Sequence, residues 1–144
     1  MKKLNLNATR IFSALLKTLD GKDHKKLISE GFMPLTIERL EDALLTPWGV
    51  GTLYSLCHYY EQAGDLMRDP EMVFIVVDDR KEKCDYENLH IYPKMYQQDN
   101  MGIYEESVAI VAGQATTYIR AWQAAHTHFA QQWLSNIKEQ GFLD

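Results

Sequence analysis

The chain has 144 residues, 46% of them hydrophobic and 24% charged, which is the size and composition of one ordinary globular domain rather than a disordered or fibrous chain. The net charge of −5 conceals an asymmetry, because residues 1–30 carry seven Lys/Arg against three Asp/Glu while the remainder is strongly acidic. Direct nucleic-acid binding is therefore not expected, since the one basic stretch reads as a solvated lysine-rich face; nor is a membrane role, since the longest apolar run, Met72 to Val77, is far short of the ~20 residues that cross a bilayer.

Ala8, Ile11, Phe12, Leu15, Leu16 and Leu19 recur at three- and four-residue spacing, which predicts a first helix capped by Asn7 or Thr9 and stopped by Gly21. A second short helix is predicted from Lys22 or Asp23 to Glu30, with Leu27 and Ile28 pointing inward. Residues 1–31 thus read as a helical segment.

Residues 32–112 read as antiparallel sheet. Met33 to Leu40 alternates loosely, with Leu35 and Ile37 on one face, and a connection with Pro47, Gly49 and Gly51 follows over 41–51. Thr52 to Gln62 is dense in β-formers, with aromatic residues on both sides. Gly64-Asp65 and Asp69-Pro70 carry turn chemistry, and Met72 to Val77 is a β-branched strand running into the polar turn 78–85. Leu89, Ile91, Pro93 and Met95 mark the next strand, and Asp99-Asn100-Met101-Gly102 turns the chain into Ile103 to Val111. Connections this short give a four- to five-stranded meander.

From 116 to 141, Tyr118, Trp122, Ala125, His126, Phe129, Trp133 and Ile137 form one stripe, with Thr116 or Thr117 as cap and Gly141 as stop. Such a helix, about 36 Å long, can lie diagonally across the sheet and bury Trp122, Phe129 and Trp133. The expected architecture is a single α+β domain over 1–144, with N-terminal helices, a meander and a long C-terminal helix on one sheet face. Cys57 and Cys84 make no disulfide framework, so both are expected reduced in a cytoplasm.

Catalytic chemistry finds little support. Cys57 and His58 are adjacent on a strand and point to opposite faces, so they cannot form a thiolate–imidazolium dyad. His126 and His128 lie two apart on a helix and cannot chelate together. No phosphate loop, nucleophile elbow or zinc spacing occurs. The acids Asp65, Asp69, Glu71 and Asp79 supply the alternative, a metal-dependent hydrolase or nuclease, with Asp79-Arg80-Lys81 matching a D-x-K ending. No catalytic residue, metal ligand or cofactor is assigned.

The favoured reading is a non-enzymatic protein-binding module. Its surface comprises the acidic, tyrosine-rich turns, namely Tyr60, Glu61, Asp65, Arg68, Asp69 and Glu71 with Gln98, Asp99 and Tyr104. An unpaired edge strand, Met33 to Leu40 or Ile103 to Val111, offers a route to a homodimer.

The stretch His58-Tyr59-Tyr60-Glu61-Gln62-Ala63-Gly64-Asp65-Leu66-Met67-Arg68-Asp69-Pro70-Glu71-Met72 resembles the signature of an uncharacterised domain family carried in phage, plasmid and conjugative-element reading frames. So do Tyr96-Gln97-Gln98-Asp99-Asn100-Met101-Gly102-Ile103-Tyr104-Glu105 and Trp133-Leu134-Ser135-Asn136-Ile137 with Gln140-Gly141-Phe142, while Met33 to Glu38 is a looser match. Ala63, where Asn is expected, and the long 41–51 connection depart from the pattern. The resemblance implies accessory cargo of bacterial mobile DNA. It carries no activity and transfers no catalytic residue.

Overall fold

The computed structural model describes residues 1–144. The first helix, α1 (Leu6–Lys17), places Ala8, Ile11, Phe12 and Leu15 on one buried face. Its cap is Asn5, earlier than expected, whose side-chain oxygen accepts the Ala8 N–H at 2.9 Å and so satisfies one of the helix's free N-terminal donors.

The predicted second helix is instead a strand, β1 (His24–Leu27). It pairs antiparallel with the start of β2 (Leu35–Thr46), from His24 opposite Glu38 to Leu27 opposite Leu35. Only one of the two apolar residues finds the core, since Leu27 packs against it while Ile28 is 67% exposed, and main-chain pairing with β2 sets the conformation.

A second correction concerns 41–51. That stretch is not a connection, because β2 continues to Thr46 and β3 (Gly49–Gln62) begins three residues later. The strand survives its polar run by bulging twice against β3, with Ala43 at a positive φ. Gly51 then lets β3 lie close on β4 (Asp65–Asp78), since a Cβ there would sit 3.2 Å from the Ile75 side chain. Asp69-Pro70 is likewise no turn, and β4 runs through it.

The meander continues through β5 (Leu89–Gln98) and β6 (Ile103–Glu106). Beyond it the chain makes a hairpin of β7 (Val108–Val111) and β8 (Gln114–Tyr118), then α2 (Arg120–Glu139). Strand β8 occupies residues read as the helix cap, so α2 starts four residues later than expected, with Ile119 at its N-cap. The fold is α+β, with eight strands rather than four or five.

The strand order is β6-β5-β4-β3-β2-β8-β7, with β1 also on β2. All pairs are antiparallel except β2–β8, which meet in parallel at Leu45 and Gln114. Residues 103–111 form one bent segment: its first half pairs with β5 and its second with β8, and the Ser107 N–H donates to the Lys94 carbonyl at the bend. One end of the sheet therefore curls closed.

Strand alternation divides β4 between two cores. Met72, Phe74 and Val76 face the helices together with Phe12, Leu15, Leu35, Ile37, Leu56, Ile91, Trp133 and Leu134. Val73, Ile75 and Val77 fill the curled end with Leu44, Leu53, Tyr92, Met95, Val108 and Ala115. Because α1 also packs on the helix face, α2 lies beside α1 and along β5, not diagonally over the whole sheet. Its buried stripe is Gln123, His126, Thr127, Ala130, Trp133, Leu134 and Ile137. Tyr118, the last residue of β8, and Trp122 both stay 40% exposed, against expectation, and Gln123 rather than Trp122 takes the buried position in the first turns of α2. No helix is long and apolar enough to cross a membrane.

Candidate functional site

The two predicted turns meet at one end of the sheet. Ala63 and Gly64, both at positive φ, close the β3–β4 hairpin, and the 3₁₀ turn Asp99–Met101 joins β5 to β6. Asp99 links them. Its Oδ2 accepts the Arg68 main-chain N–H at 2.8 Å, and its Oδ1 accepts from Gln97 Nε2 at 2.9 Å. The Arg68 N–H bond, followed by that of Gln97 and the Arg68 charge, holds the Asp99 carboxyl below its ordinary range.

The nine predicted residues divide between the two faces of the sheet. On the face without helices, Arg68 Nε lies 3.1 Å from Glu71 Oε1 and its Nη1 lies 3.6 Å from Asp99 Oδ2. Glu71 also accepts from the Ser55 hydroxyl at 2.5 Å. Tyr104 stands on β6 opposite Gln97, 59% exposed. Toward the helices, Gln98 is buried and donates to Asp69 and to Asn100, while accepting from the Tyr96 hydroxyl at 3.0 Å. Tyr60 is half-buried opposite Met67. Glu61 and Asp65 are exposed at the hairpin end, opposite Leu66 and Gln62.

Sequence reading missed the residues that complete the open face. Lys94 is 6% exposed and its ammonium pairs with Glu106 at 2.9 Å, a hydrogen bond that pulls the Glu106 carboxyl down. Ser55 and Cys57 are buried in β3, Cys57 directly opposite Glu71. Burial, then the Glu71 charge, pushes the Cys57 thiol up to about 12, so it stays protonated and unreactive at neutral pH. The available signal was a lysine between Pro93 and Met95, within the otherwise apolar and aromatic run 91–96 of β5.

The hydrolase constellation does not assemble. Asp79 follows the far end of a fourteen-residue strand whose near end carries Asp65, Asp69 and Glu71. No group of three or more His, Cys, Asp or Glu side chains has metal-holding geometry. Arg80 of the D-x-K stretch is tied up in an ion pair with Asp78, the last residue of β4, at 2.8 Å.

The family model of a domain of unknown function, DUF6908, matches residues 10–143, and the chain belongs to that family. Neither a curated protein nor a solved structure matches it.

Proposed function

We propose that this protein is a non-enzymatic binding module, and that the end of the sheet carrying both turns receives a basic, partly apolar protein surface. The observation that carries this reading is the mixture at that end: Leu66, Met101 and Tyr104 are 61%, 66% and 59% exposed. Glu61 and Asp65, beside Leu66 on the hairpin, are exposed carboxylates. Clustered exposed apolar groups with a charged rim are the usual composition of an interaction site. Beneath them the Arg68–Glu71–Asp99 and Lys94–Glu106 pairs hold the strands in place. Each of these inner charges already has a partner, which leaves the outer carboxylates to meet a cationic partner. The role in bacterial mobile DNA rests on the resemblance of the 58–72 and 96–105 blocks, and a cytoplasmic setting rests on the two free cysteines.

The test is affinity capture from a bacterial lysate with wild type and with a variant carrying Glu61→Gln, Asp65→Asn, Leu66→Ser and Met101→Ser. All four side chains are exposed, so the variant is expected to melt like wild type. A basic protein retained by wild type and lost by the variant supports the reading. Recovery of the same proteins by both removes this surface from consideration.

A further inference from the structure

The main sheet runs β6-β5-β4-β3-β2-β1, and both of its outer strands have an open side. Strand β1 makes its substantial contacts with β2 alone, and β6 with β5 and the adjoining 3₁₀ turn. Each is four residues long, His-Lys-Lys-Leu at one edge and Ile-Tyr-Glu-Glu at the other. An open edge is a row of unpaired main-chain donors and acceptors that can template pairing with another chain, and directly opposed charges favour an edge of opposite sign over one of like sign. Lys25 and Lys26 repel a second β1 and are attracted to a β6 edge, where Glu105 and Glu106 stay partly exposed although each already has a partner within its own copy, His126 and Lys94.

We propose that the basic β1 edge of one copy adds antiparallel to the acidic β6 edge of another, so that this chain assembles head to tail. Three independent features of the fold agree with that junction. The first is direction. Four strands separate the two edges and every neighbouring pair is antiparallel, so β1 runs opposite to β6. An antiparallel junction therefore leaves successive copies pointing the same way.

The second is the side on which residues lie. Lys25 and Leu27 stand opposite Ile37 and Leu35, which face the helices. Glu105 and Ile103 stand opposite Tyr96 and Gln98, also on that side. With Lys25 placed against Glu105 and Leu27 against Ile103, helix-side residues meet helix-side residues. On the open face, His24 then meets Glu106 and Lys26 meets Tyr104. A one-residue slip would set the two faces against each other.

The third is chemistry. In this register Lys25 meets a carboxylate, Lys26 meets a tyrosine ring that can receive a cation, and Leu27 meets Ile103. Opposite-charge and apolar cross-strand pairs of this kind stabilise sheets, while like charges in the same places destabilise them. A head-to-tail contact of this type builds an open filament, or a ring where its rotation closes. The junction shares Tyr104 with the surface proposed above but needs no other protein, so purified chain alone tests it.

The experiment is sedimentation velocity of the full chain over a wide concentration range, with Lys25→Glu/Lys26→Glu as the variant. Both lysines are exposed, and far-UV circular dichroism checks that the variant folds. Wild type is expected to form species larger than a dimer as concentration rises, with assembly weakening in high salt as exposed charges are screened. The variant is expected to self-associate about tenfold or more weakly, because acid now faces acid. Added to wild type, it should shorten the assemblies, since its intact β6 edge accepts a neighbour while its β1 edge cannot donate to one. A monomeric wild type at every concentration overturns the proposal. So does a variant that assembles like wild type, or one that joins wild-type assemblies without shortening them.

Discussion

His126, near the middle of α2, holds Glu105 of β6 through its Nε2 at 2.8 Å, while its Nδ1 lies 3.0 Å from the Ser107 hydroxyl. One buried ring, 3% exposed, thus ties the C-terminal helix to the bend where the sheet curls closed. His126→Ala removes both contacts and leaves a void beside Tyr96, whose ring is 5.8 Å away. The expected loss is about 2–4 kcal/mol in a urea titration, from unmade hydrogen bonds and a cavity together. A loss within ~0.5 kcal/mol would show that the helix is docked by its apolar residues alone.

His58 provides a pH dependence. Its ring is 7% exposed, packs 5.7 Å from Trp133 and 5.6 Å from Phe142, and burial lowers its pKa below the ordinary value. Below about pH 6.5 the unfolded chain takes up a proton at this position while the folded chain resists it. Stability therefore falls as pH drops from 7 through 6.5 and levels only once the folded ring protonates. In melts between pH 7.5 and 5, the wild-type melting temperature should drop more steeply than that of His58→Gln. Parallel curves would show that His58 contributes nothing to the slope.

The two thiols should differ sharply. Cys57 is 1% exposed with its pKa raised to about 12, whereas Cys84 sits exposed in the β4–β5 loop. Native protein at pH 8 should give one fast-reacting thiol with a disulfide reagent, and Cys84→Ser should abolish it. The second thiol should appear only in denaturant. Two fast thiols in native protein would mean that β3 opens readily.

Phe12 and Trp122 separate the observed core from the expected one. Phe12 is fully buried, 4.7 Å from the Phe74 ring, whereas Trp122 is 40% exposed. Phe12→Ala is expected to cost about 3–5 kcal/mol. Trp122→Ala should cost less than about 1 kcal/mol despite removing the larger side chain. Equal losses by chemical denaturation would contradict the placement of α2 alongside α1.

Much of the framework was legible because local patterns and tertiary packing agree over most of the chain. The i, i+3, i+4 spacing of Ala8, Ile11, Phe12 and Leu15 describes the buried face of α1, and the β-branched run at 72–77 describes a strand buried on both sides. The Asp99–Gly102 turn was marked by its residues, and Gly102 does take the positive φ that such a turn requires. The convergence of the candidate site was only partly legible. The two turns could be located, but their joining through Arg68 and Asp99, 31 residues apart in sequence, depends on the pairing of β4 with β5. Lys94, Ser55 and Cys57 were not picked out because their partners, Glu106 for the first and Glu71 for the other two, come from other strands.

Sequence by itself determined the hydrophobic periods, the turn residues and the separation of basic from acidic segments, since each of these is set by neighbours a few positions away. Only the tertiary structure decided that 24–27 is a strand, that 41–51 bulges instead of looping, that α2 shares its face with α1, and that 103–111 bends to close the sheet. The physical reason is the same in all four: unpaired main-chain groups and exposed apolar faces are satisfied by partners distant in the chain, and where that gain exceeds a weak local preference, the distant partner sets the conformation.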